Sequence, residues 1–412
     1  MNVKLRLTIM NFLQFFIWGS WLISLGGYMM GELHFDGGQT GKIFATMGVA
    51  SVFMPGLLGI VADRWINAER LLGICHLTGA GLLLYASTLT SYHSMYWVML
   101  LNMMVYMPTL ALTNAVSYNA LEKYRLDIIK DFPPIRVWGT VGFICAMWAV
   151  DLSGISRSSL QLYVGAAAAF LLGIYSFTLP ACKPSKNQKK TILSAFGLDA
   201  LSLFKQKKMA IFFIFSMLLG AALQITNTFG GSFLDSFKSI PEYADSFGVL
   251  HPNILLSISQ MSETLFILAI PFFLKRFGIK QVMLMSMFAW VLRFGLFGLG
   301  NPGSGLVLLI LSMIVYGMAF DFFNISGSLF VEKETTPSIR ASAQGLFMIM
   351  TNGLGAIIGG NASGWVVDHF THKGITDWPA AWFVFAGYAL TIGILFAIVF
   401  KYKHETEEYS EK

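Results

Sequence analysis

The sequence predicts an all-α membrane protein, twelve transmembrane helices in two six-helix bundles with both termini cytoplasmic. Three observations carry this. Hydrophobic residues make up 55% of the 412-residue chain and charged residues only 12%, against roughly 25% charged in a soluble domain. A globule this apolar cannot cover itself with polar groups, so much of its surface must face lipid. Apolar runs near the length that crosses a bilayer, about 20 residues as helix, recur along the chain, and one long charged stretch divides them six and six.

The first six predicted spans are 7–30, 40–61, 71–89, 95–120, 134–150 and 159–179; the second six are 209–229, 253–273, 282–299, 306–330, 341–367 and 380–400. The bundles are thus 1–180 and 209–400, joined by a cytoplasmic linker, 181–208, and followed by a cytoplasmic tail, 401–412. The linker region carries Lys183, Lys186, Lys189, Lys190, Lys205, Lys207 and Lys208. The first run follows Lys4 and Arg6 but is longer than the apolar core of a signal peptide and lacks a small-residue cleavage site after a short core, so it reads as a span. Of the 28 Lys and Arg, with Arg136 and Arg293 set aside as intrahelical, 22 fall on the side of the N-terminus and four, Lys42, Arg157, Lys238 and Lys373, on the other. That asymmetry sets the orientation.

Six spans, a loop and six spans is a plan of paired repeats. The second and third spans are joined through Gly59-Ile-Val-Ala-Asp63-Arg64, and the eighth and ninth through Leu274-Lys-Arg-Phe-Gly278-Ile-Lys280, a degenerate copy. The fifth and eleventh spans open alike, with Ile135-Arg136 and Ile339-Arg340. The plan and the Gly59, Asp63, Arg64 loop motif resemble the major facilitator superfamily, although the later basic residues of its loop signature are poorly kept.

Ionisable groups at membrane depth are expensive and point to function. Glu263 falls in the middle of the eighth span and Asp321 well inside the tenth. Gln260 and Glu263 share a helix face, as do Gln224 and Asn227 in the seventh span. Tyr316, Phe320 and Asn324 make a stripe beside Asp321, and Arg136, Thr140 and Phe143 make another in the fifth span. Converging, these faces would form a wet cavity of amides, carboxylates and rings, suited to a flat, neutral, polyhydroxylated ligand. Arg293 would pair with a buried acid or snorkel outward. Asn11, Gln14, Trp18 and Trp21 form a further polar and aromatic face, either lining or packing.

Other classes fare less well. No basic stripe with interleaved aromatics points to nucleic acid. Cys75, Cys145 and Cys182 form no metal-type pair and read as packing residues. No metal site, cofactor motif or nucleophile motif stands out, and all seven histidines fall in loops or near span ends, which argues against a membrane enzyme. A nutrient sensor on this plan would carry a large soluble extension.

At these residues the chain resembles the nucleoside:proton symporter family of that superfamily. The resemblance runs through NFLQFFIWGSWL (11–22), DFPPIRVWGTVGFICAMW (131–148), MAIFFIFSMLLGAALQITNTFG (209–230), SISQMSETLFIL (257–268), SMIVYGMAFDFFNISGSLFVEKE (312–334) and IRASAQG (339–345). It implies a monomeric inner-membrane importer of purine and pyrimidine nucleosides, driven by protons through alternating access. It also implies a substrate site at Arg136, Thr140, Phe143, Gln224, Asn227, Gln260, Glu263, Tyr316, Phe320 and Asp321. Glu263 and Asp321 are the proton-coupling candidates, with Arg136 expected to pair with Asp321. Ala222 departs from the family pattern, where a Glu is expected. Arg136, Gly139 and Phe143 also resemble the fifth helix of lactose-permease-type proton-coupled sugar symporters, which makes a sugar the alternative cargo.

Overall fold

A computed structural model describes residues 2–184 and 198–402. Lys186, Lys189 and Lys190 of the predicted linker, and tail residues 403–412, lie outside the described residues. Eight of the described helices are long and apolar enough to cross a membrane.

The first half begins with α1 (Val3–Gly19) and α2 (Leu25–Gly31). The first predicted span is therefore broken around residues 20–24, where Ser20 Oγ donates back to the Ile17 carbonyl and Ser24 Oγ donates to Gln161 Oε1 at 2.6 Å. Then follow α3 (Gly37–Arg64), α4 (Ala68–Ala86), α5 (Tyr92–Lys123), α6 (Ile128–Leu152) and α7 (Leu160–Ser176). Gly59, Asp63 and Arg64 belong to the last turns of α3, so the connection they were expected to form is only Trp65–Asn67. A Cβ on Gly59 would meet open space. Helix α6 starts six residues before its predicted span, with Pro133 and Pro134 inside it, so Arg136 is carried well into the helix rather than flanking its start.

The second half comprises α8 (Lys207–Ser236), the single turn α9 (Phe247–Leu250), α10 (Pro252–Leu299), α11 (Leu306–Glu334), α12 (Pro337–Met348), α13 (Ala356–His369) and α14 (Trp378–Val399). The eighth and ninth predicted spans are the two arms of α10. They meet at Gly278, whose φ of 76° and ψ of 169° only glycine adopts readily. Between α12 and α13, Ile349–Gly355 winds as a π-helix.

Within the first half α1 packs along α6 and α4 along α7; within the second, α10 packs on α11 and α14. The halves meet where α3 crosses α13, α2 meets α8 and α6 meets α10. The first crossing is lined with glycine on both sides. A Cβ on Gly41 would strike the Gly360 carbonyl, and one on Gly364 would crowd Gly37 and Gly38.

Polar contacts reinforce these crossings at one end of the molecule, here called distal. Arg157 Nε donates to Asp235 Oδ1 at 2.6 Å, and its Nη2 to the Val249 carbonyl at 3.1 Å. Asp151, fully buried, accepts from the Asn253 backbone N–H at 3.1 Å and lies 2.9 Å from the His251 ring. Asp368 accepts from the N–H groups of Gly37 and Gly38 at 2.6 and 2.8 Å. The opposite end carries Lys4–Asp131 at 2.7 Å within the first half and Arg340–Glu332 at 3.6 Å within the second.

Candidate functional site

The polar residues at depth fall into an inter-half group and a buried cation beside it. Arg136 on α6 lies with its guanidinium carbon 4.1 Å above the ring centre of Phe15. Its carboxylate neighbour is Glu263 on α10, in the other half. This corrects the expected pairing with Asp321, which feels Glu263 as its charged neighbour. The three groups thus run Arg136, Glu263, Asp321 from one half into the other. Asp321 is 3% exposed and its Oδ2 has no hydrogen-bond partner. A buried carboxylate oxygen left unpaired is costly, so a proton or a substrate hydroxyl would satisfy it.

Tyr316 joins this group to the aromatic wall. Its ring stacks on Phe320, centroids 6.1 Å apart and planes 9° from parallel, and meets Trp290 edge-on at 5.9 Å. Gln260 lies within hydrogen-bonding reach of Tyr316. Arg293, 1% exposed, does not snorkel. Its guanidinium lies 4.5 Å over the Tyr316 ring and 5.0 Å over Phe297, and its Nη1 donates to the Ser312 carbonyl at 2.9 Å and to Ser259 Oγ at 3.3 Å. Its surroundings are hydroxyls, a carbonyl and ring faces, so it fixes the angle of Tyr316 from behind.

The remaining candidates separate by environment. Thr140 and Asn227 are half-buried. Gln224 is 1% exposed, with its amide 3.3 Å from Thr228 Oγ1, so it is held within its own helix. Phe143 is 7% exposed and lies edge-on to Trp18 at 6.4 Å. On α1, Asn11 and Gln14 pack internally while Trp18 reaches Phe143, and Trp21, in the break after α1, is buried as well. Gln14 is the centre of a network, donating to Thr109 Oγ1 at 2.7 Å and lying 2.8 Å from the His76 ring. His76 is therefore a core residue of α4, not one at a span end. Ala222 is fully buried in α8.

Of the cysteines, Cys75 is buried, Cys182 half-buried and Cys145 exposed on the outer surface of α6, so Cys145 is not the packing residue expected. Burial pushes the Cys182 thiol up to about 11, and the charges of Glu69 and Asp63 add to this. Such a thiol is unreactive at neutral pH. Among the described residues, no three His, Cys, Asp or Glu side chains gather to hold a metal ion.

Sequence reasoning missed Phe15, the platform under Arg136, and Trp290. Both are aromatic residues in apolar runs, and only a three-dimensional neighbour distinguishes them from ordinary packing.

A family model described as Nucleoside H+ symporter matches residues 1–405. The chain is 56% identical to the xanthosine permease of Escherichia coli (strain K12), over 100% of this chain and 99% of that protein. It is 57% identical to the nucleoside permease NupG of the same strain, over 98% and 97%. The crystal structure of the nucleoside transporter NupG superposes with a TM-score of 0.93 at 56% identity, covering 98% of this chain and 100% of that one. A bacterial homologue of the lysosomal transporter Spinster, at 12% identity and a TM-score of 0.68, shares the fold alone.

Proposed function

We infer the working cycle from one premise: this chain belongs to the nucleoside H+ symporter family. It is a multi-pass protein of the bacterial inner membrane that imports nucleosides together with protons. The full-length family match sets the lactose-permease-type sugar alternative aside.

The finer reading concerns where this happens. The substrate binds between the halves, with Arg136, Thr140 and Phe143 on one side and Gln224, Asn227, Gln260, Glu263, Tyr316, Phe320 and Asp321 on the other. The observation that carries this is the charged run Arg136, Glu263, Asp321 spanning the two halves. A group shared between two bodies changes its surroundings whenever they move, which a coupling site requires. The protein works as a monomer of twelve spans in two bundles with both termini cytoplasmic, and Gly59, Asp63 and Arg64 belong to the cytoplasmic gate. The distal seam then faces the periplasm, and the structure represents the state closed on that side. Alternating access follows by rocking of the halves about the site.

The driving force is adequate. One charge moving through 100 mV is worth about 2.3 kcal/mol, which corresponds to roughly a fifty-fold concentration ratio.

Uptake of labelled uridine by cells expressing the protein tests the reading. It is expected to fall when the proton gradient is collapsed; uptake indifferent to the gradient would mean facilitated diffusion instead. Because the carboxylates suit vicinal hydroxyls and the rings suit a base, unlabelled uridine should compete far better than free uracil. Equal competition would show that the ribose is not read.

A further inference from the structure

Beside the charged run, a narrow, half-open cleft faces α8 and the π-helical turn. Its functional lining is Trp290, Phe320, Phe323, Asn324, Thr351 and Asn352. Phe320 belongs both to this cleft and to the ring stack with Tyr316, so the cleft is continuous with the substrate site.

We propose that Asn324 and Asn352 are specificity-determining residues that read the hydrogen-bonding edge of the nucleobase. The proposal rests on the nucleoside reading and adds the position of the base, lying on Phe320 with its edge toward the two amides.

The two amides are unusual for their setting. Asn324 stands one turn beyond Phe320 on α11 and forms no hydrogen bond within the described residues. Asn352 has a single polar contact, 3.9 Å to Met348 Sδ, too long and too soft to satisfy an amide. Thr351, by contrast, spends its hydroxyl on the Phe347 carbonyl at 2.9 Å. A primary amide left open inside a membrane protein belongs to a wet cavity or to a ligand. Asparagine offers a donor and an acceptor side by side, the pattern that pairs bidentately with a base edge.

The backbone around Asn352 is built for this. Ile349–Gly355 is π-helical, a local widening often found at functional positions because it re-aims side chains. The turn is clamped: Gly220 of α8 lies against the Thr351 carbonyl, Gly355 against Met217 and Gly220, and Gly353 against Val52 of α3. A widened turn held on two sides is a fixed pedestal for Asn352. The contact of Gly353 with Val52 of α3 also ties the turn to the other half, so the amide is in place while the distal seam is closed.

The test uses the full-length protein in proteoliposomes. Labelled uridine uptake is measured for the wild type, Asn352→Ala and Asn324→Ser, with competition by adenosine, inosine and a ribonucleoside carrying a plain phenyl ring in place of the base. A bidentate pair is worth about 1–3 kcal/mol, so each variant is expected to raise the KM for uridine about ten-fold with little change in maximal rate. The ranking of the natural nucleosides should flatten, while the inhibition constant of the phenyl analogue, which has no edge to read, should stay at the wild-type value. Equilibrium binding of labelled uridine in detergent gives the same comparison for a variant that transports poorly. An unchanged KM and ranking would overturn the proposal, and so would equal weakening of the phenyl analogue, which would make the two residues packing groups. If the wild type itself took up no nucleoside, the functional reading would fail instead, and the phenyl analogue series would not arise.

Discussion

Glu263→Gln is expected to retain nucleoside binding and counterflow and to lose accumulation driven by a pH gradient. Glutamine keeps the shape and hydrogen bonding of glutamate but cannot take up a proton. A carboxylate's hold on a proton depends on the charges beside it, and those beside Glu263 belong to different bodies: Arg136 to the first half, Asp321 to its own. On the proposed rocking of the halves one neighbour changes and the other stays, and the proposal therefore assigns coupling to Glu263 and substrate contact to Asp321. Proteoliposomes with an imposed pH gradient give the readout. Retained counterflow with roughly equal internal and external uridine at steady state is the expected outcome. If the variant still concentrates uridine, and collapse of the gradient abolishes this, coupling resides elsewhere and Asp321→Asn is the next variant.

The second large effect is steric. Gly41→Val should abolish uptake while leaving a folded protein that still binds nucleoside. The new side chain would run into the Gly360 carbonyl, where backbone approaches backbone and no side chain can swing aside. The clash exists only while α3 and α13 are together, so it removes the distally closed state and spares the open one. Transport needs both. Wild-type uptake by Gly41→Val would mean that this crossing need not close during the cycle.

Much of the architecture was legible in the sequence because a bilayer demands long apolar runs, and such runs survive any detail of packing. What was not legible depends on backbone hydrogen bonding, which composition does not report. The interruption between α1 and α2 and the π-turn at 349–355 both lie inside predicted spans, and Ser20, Ser24, Thr351 and Asn352 are residues that unbroken membrane helices also carry. Gly278 was visible as a residue, but its left-handed backbone was not. The site shows the same division. Helical spacing placed Gln260 with Glu263 and Tyr316 with Phe320, because periodicity defines a face of one helix. It does not say which helix that face meets: sequence alone points Arg136 to Asp321, and the structure has it beside Glu263. For Arg293 the sequence allows snorkelling or pairing, and the residue is held by Ser259, Ser312 and two aromatic faces whose convergence is a tertiary fact.

The bond from Asp368 to Gly37 and Gly38 has a consequence for how rigid the moving parts stay. The first N–H groups of a helix have no partner within it and are ordinarily satisfied by a cap. Helix α3 has two. One is its own: Asp36 Oδ1 accepts from the Gln39 backbone at 2.6 Å, and the Gln39 side chain accepts from the Asp36 N–H at 3.2 Å. The other is borrowed from the opposite half, through Asp368. Parting the halves returns only the borrowed pair of amides to water. The intrinsic box remains, so the first turn has no reason to fray and the helix can leave its neighbour as an unbroken rod. The seam is thus detachable at the point where it is charged, and the segment it releases is already finished.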